Sequence, residues 1–190
     1  MMEERYGKLS MLNIMTNIWL GEWDKYEEIM EEIPQAVKAE LPFHSSYNRE
    51  EVSLWYDNHF FIPGDHFISP YFSSYTQEIE DEETRKMNLL CLINLYEKTG
   101  FLYPLEIDRF PDHIGCLTAF LSSVLKEQVT ANQEDDFVYL QQLEELENKF
   151  LIQYIQPLIN TFLKQANKKV SHSFFKEFLK FYADIMIAIY

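Results

Sequence analysis

The chain reads as all-α, a single-domain helical bundle of about seven helices over residues 1–190. Three observations carry that reading. Apolar residues recur at three- and four-residue spacing in stretch after stretch, the mark of helices with one buried face. Two-residue alternation is hard to find anywhere. Five glycines punctuate 190 residues, too few for the tight turns of a β-rich fold.

The elements follow in order. Residues 3–20 form a first helix, with Leu9, Leu12, Met15 or Thr16, and Trp19 at helical spacing, and Gly21 stops it. A second helix spans residues 24–40, where Pro34 removes an amide donor and kinks or restarts the turn. Asn48-Arg-Glu-Glu51 has the form of a capping box. It opens a third helix to about Phe60 that buries Val52, Trp55 and Tyr56 or Phe60. An aromatic loop follows, Phe61 to Tyr75, with two prolines and one glycine. Its length exceeds the usual connection between helices, and its aromatic content argues against disorder.

The acidic run Glu78–Glu83 opens the fourth helix, since carboxylates favour the positive end of the helix dipole. Met87–Tyr96 is apolar almost all round, which places that helix centrally, and Gly100 ends it. After a loop over Phe101–Phe110, Pro111 starts a fifth helix with Ile114, Leu117, Leu121, Val124 and Leu125 on one face. The longest pattern runs from Phe137 to Phe162, with a bend expected at Pro157. Ser171 caps the last helix, whose stripe is Phe174, Phe178, Phe181, Tyr182, Ile185 and Ile189.

Composition narrows the function. Nearly half the residues are hydrophobic, which excludes disorder, and the net charge of −15 argues against a general nucleic-acid binder. The charge is uneven. From Lys164 onward five lysines face two acids, while the preceding residues hold 11 cations against 29 acids. Cys91 and Cys116 lie in apolar runs without a partner at metal or redox spacing, so both are expected as buried free thiols of a reducing compartment. The apolar patch Met11–Leu20 is interrupted by Asn13, Thr16 and Asn17 and lacks a cleavage site. No run is long enough to span a bilayer. These features point to the cytoplasm and away from membrane insertion.

Catalytic signatures are missing: there is no nucleophile elbow, phosphate loop or paired zinc-ligand spacing. Asp57, His59, Asp65 and His66 cluster in sequence, but nothing fixes their geometry for a metal. Asp112 and His113 are adjacent at a helix start, and adjacent side chains there point in different directions. The chain is therefore not expected to be an enzyme, nor to carry a metal or cofactor of its own.

Two stretches remain. Pro70-Tyr-Phe-Ser-Ser-Tyr75 offers rings and hydroxyls suited either to a packed surface loop or to the wall of a peptide groove. Pro111-Asp-His-Ile-Gly115 is partly explained as helix-start chemistry, with proline in the first turn and an early carboxylate. Gly115 is not, because glycine inside a helix costs about 1 kcal/mol relative to alanine. It signals close approach of a neighbouring backbone or a bound chain, and the adjacent histidine can switch between donor and acceptor near neutral pH.

At these residues the sequence resembles the TorD/DmsD/NarJ family of molybdoenzyme assembly chaperones. Pro63-Gly…Pro70-Tyr-Phe-Ser-Ser-Tyr75 is similar to the family's proline–aromatic–Ser–Tyr segment. Pro111-Asp-His-Ile-Gly115 is similar to its Asp-His-hydrophobic-Gly signature. Phe150-Leu-Ile-Gln-Tyr-Ile-Gln-Pro-Leu158 followed by Phe181-Tyr182 is similar to its long and terminal helices. The chain has Leu117 where the family motif usually has Glu, and Tyr154 where a His is frequent.

The resemblance implies a cytoplasmic all-α chaperone that binds the N-terminal twin-arginine signal peptide, or the body, of an apo molybdenum-cofactor oxidoreductase. It would hold that client for cofactor insertion before export. Pro70, Tyr71, Ser74 and Tyr75 would line the apolar side of a peptide site. Asp112 would meet an arginine, His113 would supply an orienting hydrogen bond, and Ile114 and Gly115 would complete the site. Two alternatives stand beside it: a NarJ-like chaperone of a non-exported nitrate reductase, and an acidic helical regulator with no cofactor link. A monomer and a helix-exchanged dimer are both compatible with long helices on loops.

Overall fold

Helices form where the apolar spacing requires them. The computed structural model describes residues 2–76, 81–102 and 109–188, and these contain no strand; a lone antiparallel bridge joins Tyr71 to His113. The helices are α1 (Met2–Leu20), α2 (Trp23–Glu32), α3 (Gln35–Lys38), α4 (Arg49–Tyr56) and α5 (Glu82–Lys98), then α6 (Ile114–Gln133), α7 (Phe137–Phe150), α8 (Gln156–Lys169) and α9 (Ser173–Ala188).

Proline explains why the described residues hold nine helical segments where about seven were expected. Ile33, ahead of Pro34, takes an extended conformation and separates α2 from α3. Pro157 has no amide for the carbonyl one turn back, and the helix widens into a π turn at Leu151–Ile155, between α7 and α8. A second π turn, Asp57–Phe61, ends α4 and gives way to extended Ile62 just before Pro63.

The described residues divide into two compact units that alternate along the chain: Met1–Leu20 with Tyr71–Ile155, and Gly21–Pro70 with Gln156–Tyr190. In the first, α6 is the central pillar, buried at nearly every position from Ile114 to Leu125. Helix α1 lies against α6 and α7 packs on it as well. Asn13 accepts from the Ser122 hydroxyl at 2.6 Å, Gln133 donates to Tyr6 at 2.7 Å, and Arg5 pairs with Glu144. Buried Gln128 donates to Glu147 at 2.7 Å. An aromatic run, Tyr96–Phe120–Phe150–Tyr154, has ring centroids 4.6–5.0 Å apart.

The second unit is organised around Trp23. Its indole meets the rings of Tyr26, Tyr47, Tyr56, Phe174 and Phe175 within 6.3 Å. Arg49 bridges Asp24 and Glu27 at 2.8 and 3.1 Å. The predicted cap at Asn48 forms, its side chain accepting from the Glu51 amide. The front half of the aromatic loop is held here: Lys169 donates to the carbonyls of Asp65 and Phe67.

Several expectations change. Helix α5 is not central. Met87 and Leu90 are half exposed, Cys91 is exposed and not a buried thiol, and Leu92 and Tyr96 are its fully buried residues. One stripe of α5 faces the core and the opposite apolar stripe does not. Asp81 caps α5, taking the Thr84 amide at 2.8 Å; Glu78–Glu80 lie outside the described residues, as do Tyr103–Asp108 and Ile189. Helix α9 begins at Ser173, one residue beyond His172, so Ser171 is not its cap. Phe137 stands exposed, and the buried stripe of α7 starts at Leu140.

Gly21 ends α1 in the left-handed conformation, φ +73°, where a Cβ would lie 2.7 Å from the Tyr56 ring. Gly21→Ala should therefore destabilise the protein by at least about 1–2 kcal/mol, read as a lowered denaturation midpoint. The same change at Gly7, which meets nothing within 4 Å, should be neutral or stabilising.

Candidate functional site

The Pro111–Gly115 segment forms a buried helix start, and burial dictates its chemistry. A helix leaves its first amides without intrahelical partners, and inside a protein they cannot turn to water. Helix α6 begins with Asp112 through Thr118 all buried. His113 is its N-cap. The imidazole Nδ1 accepts from the Gly115 amide at 3.0 Å, and the His113 carbonyl accepts from Cys116 and Leu117 at 2.8 and 2.9 Å. Pro111 thus precedes the cap instead of occupying the first helical turn, and Asp112 is not a helix-turn carboxylate.

Asp112 serves a different segment. Its carboxylate Oδ2 accepts from the Ser73 amide at 2.9 Å, and its carbonyl accepts from the Phe72 amide at 3.0 Å. Those are the first two amides of a 3-10 turn at Phe72–Tyr75. The aspartate caps that turn from 39 residues away in sequence. The Tyr71 ring meets the His113 and Phe110 rings edge to face, at 5.2 and 5.9 Å. Phe72 packs on Tyr154 at 5.5 Å. The Tyr96 hydroxyl donates to the Pro111 carbonyl at 3.0 Å.

His113 cannot act as a switch near neutral pH. Burial, helped by the positive charge of Arg109, pushes it down to about 3. The imidazole is neutral, and since Nδ1 accepts, the proton sits on Nε2, which has no hydrogen-bond partner among the described residues. Burial also pushes the Tyr75 phenol up, so it stays protonated.

Gly115 answers to a side chain. A Cβ there would meet Leu20 Cδ2 at 2.6 Å and His113 Nδ1 at 3.1 Å, so the glycine lets the end of α1 seat against the start of α6. Ile114 is fully buried, as is Leu117. The expected residues therefore divide by exposure. Tyr71, Ser74 and Tyr75 are half-buried and accompany Asp112 and His113 in one unit; Pro70 is buried and ends the other unit. Ile114 and Gly115 are core.

Beside this start lies a groove of about 560 Å³ that the motif did not reveal. Ile93, Tyr96, Phe101 and Pro111 line it, with Glu97 and Arg109 as its charged residues. Leu102 and Phe110 also line it and stand 90% and 67% exposed. Phe110 touches Tyr71 and so belongs to the motif and the groove together. The available signal was α5, apolar all round: such a pattern also describes a surface helix that keeps one apolar face bare. Among the described residues no three His, Cys, Asp or Glu side chains converge to hold a metal, and no described helix is long and apolar enough to cross a membrane.

Two outcomes are expected. His113 is protonated less readily folded than unfolded, so its contribution is complete above the unfolded value near 6.5 and declines as pH falls from there toward about 3. His113→Asn, which keeps a capping acceptor, should flatten the loss of stability across that window in urea titrations. Gly115→Ala should destabilise by about 1–3 kcal/mol, and much less in a Leu20→Ala background, measured as a double-mutant cycle.

No curated protein and no solved structure matches the chain. The family model described as nitrate reductase delta subunit matches residues 24–164, most of the chain and both sides of the buried helix start. The protein belongs to that family, the molybdoenzyme chaperones of TorD/DmsD/NarJ type that its three segments resemble.

Proposed function

We propose that the protein is a cytoplasmic chaperone that holds the N-terminal, twin-arginine segment of an apo molybdoenzyme in the groove between α5 and Phe110–Pro111. Family membership supports the coarser half of this reading, assembly of a molybdoenzyme. The groove is the observation that supports the finer half. Exposed Leu102 and Phe110 offer apolar area at its edge, and burying such side chains contributes about 25 cal/mol per Å². An apolar helical peptide laying leucines into a groove is a recurrent mode of recognition.

The two halves of the motif take different roles here. Asp112 is buried and its carboxylate already holds the Ser73 amide, so it positions the Tyr71–Tyr75 turn. Glu97 is the exposed carboxylate in the groove, suited to a charge-assisted pair with a client arginine. His113, Ile114 and Gly115 act through Tyr71 and Pro111, whose placement they fix. The role is binding rather than catalysis. The family's description as nitrate reductase delta subunit favours a second reading, in which the client is a nitrate reductase; in that reading the client is not exported.

Calorimetric titration separates these readings. A twin-arginine signal peptide should bind, its Lys-Lys variant more weakly, and Phe110→Ala with Leu102→Ala should weaken binding by about tenfold or more. Glu97→Gln should erase the preference for arginine, whereas Asp112→Asn, which retains an acceptor for Ser73, should keep it. Equal or absent binding of the two peptides would remove the signal-peptide role. Capture of a nitrate reductase terminus lacking paired arginines would favour the second reading.

A further inference from the structure

The turn joining α6 to α7 is unlike the rest of the surface. Phe137, Val138 and Tyr139 are consecutive and exposed by 65%, 72% and 42%. Single exposed apolar side chains are ordinary; three in a row, two of them aromatic, form a patch that the core of the unit does not use. Tyr139 also stands on the edge of a cleft of about 260 Å³ between α6, α7 and the end of α5, with Phe120, Val124, Leu143 and Leu146 as its apolar lining and Lys98 and Glu127 as its charged residues. That volume is large enough for an inserted apolar side chain.

Charge surrounds the patch. Residues 127–148 hold seven acidic side chains and no lysine or arginine. Some have structural duties: Glu144 pairs with Arg5, Glu147 accepts from Gln128, Glu145 meets Lys149 and Asp136 caps α7 by taking the Tyr139 amide. Glu127, Glu134 and Asp135 have no such duty. Glu134 and Asp135 stand between the C-terminus of α6, where the helix dipole disfavours anions, and the N-terminus of α7, where it favours them. Asp135 also adopts φ +57°, and the Asp136 amide closes back on the Ala131 carbonyl at 2.9 Å. Glycine or asparagine is the ordinary residue at such a helix-ending turn. The positive φ does not itself call for a carboxylate at Asp135, although the N-terminus of α7 that follows favours acidic residues.

We infer that this turn is a docking surface for a basic amphipathic helix of a partner protein. The apolar triad and the cleft would receive its apolar face, and Glu127, Glu134 and Asp135 would meet its lysines or arginines. Anionic lipid and nucleic acid are repelled by the same carboxylates. The apolar triad follows the C-terminus of α6, whereas the proposed peptide groove lies beside its start, and α6 is about 30 Å long. The cleft, lined by Phe120 and by Lys98 and Thr99 at the end of α5, adjoins the groove residues Glu97 and Phe101. Charge complementarity of this kind accelerates encounter and makes binding sensitive to salt.

The test uses the full chain and, as probe, a fluorescein-labelled helix of leucine and lysine about five turns long, with a glutamate-for-lysine control. Anisotropy should show salt-sensitive binding of the lysine peptide and none of the control. F137S/V138S should weaken it by about tenfold, and E134Q/D135N should weaken it severalfold and flatten the salt dependence. All four positions are exposed, so melting temperatures should stay near that of the parent. Unchanged binding in both variants overturns the inference, as does binding lost only with the Phe110→Ala and Leu102→Ala pair. Light scattering guards the remaining case: a dimer that F137S/V138S dissociates would make this face a self-interface and also overturn it.

Discussion

A helix that begins in the interior must find acceptors for its amides inside the protein, and the start of α6 meets that constraint with few atoms. One imidazole nitrogen takes the Gly115 amide, and the carbonyl of the same residue takes the next two. Leaving a buried amide unpaired costs about 1–3 kcal/mol, so the cap fixes where α6 starts. That start in turn sets where α1 can seat, through Leu20 over Gly115. It also sets where Asp112 stands to hold the Phe72–Tyr75 turn. The fold of this unit and the geometry of its candidate site descend from one satisfied helix terminus.

Much of this was legible in the sequence. Apolar spacing located the helices, Gly21 and Gly100 stopped two of them with positive φ, and Asn48 capped a third. The importance of Pro111–Gly115 was legible too. What spacing could not carry was the identity of partners distant in sequence. Nothing near Asp112 announces that it serves Ser73, and nothing near Gly115 names Leu20. An imidazole as N-cap is less usual than Ser, Thr, Asp or Asn, so helix-start chemistry was assigned to the proline and aspartate instead. Helix α5 misled for a different reason. Apolar residues on every side describe a helix sealed in a core and a helix with one unused face equally well, and exposure at Met87 and Leu90 is what tells them apart. The alternation of two compact units along the chain has no counterpart in composition.

The division of labour around the motif follows from burial. Residues that resemble the family signature most closely, Asp112 to Gly115, are the least exposed of the set. Their chemistry is spent on each other and on the turn they hold. The exposed side chains of the groove, Leu102, Phe110 and Glu97, flank the Asp112–Gly115 signature, and Phe110 also packs on Tyr71. A motif can therefore mark a binding region by what it builds, while its neighbours make the contact.

The sealed histidine has a consequence for how a bound chain could leave. An imidazole that stays neutral down to about pH 3 gives the region no protonic trigger. Within the folded protein, acidification well below neutral leaves the imidazole cap neutral and in place. Release would then be governed by competition. The held segment departs when its apolar residues find better burial elsewhere, as they would once the rest of its own chain folds.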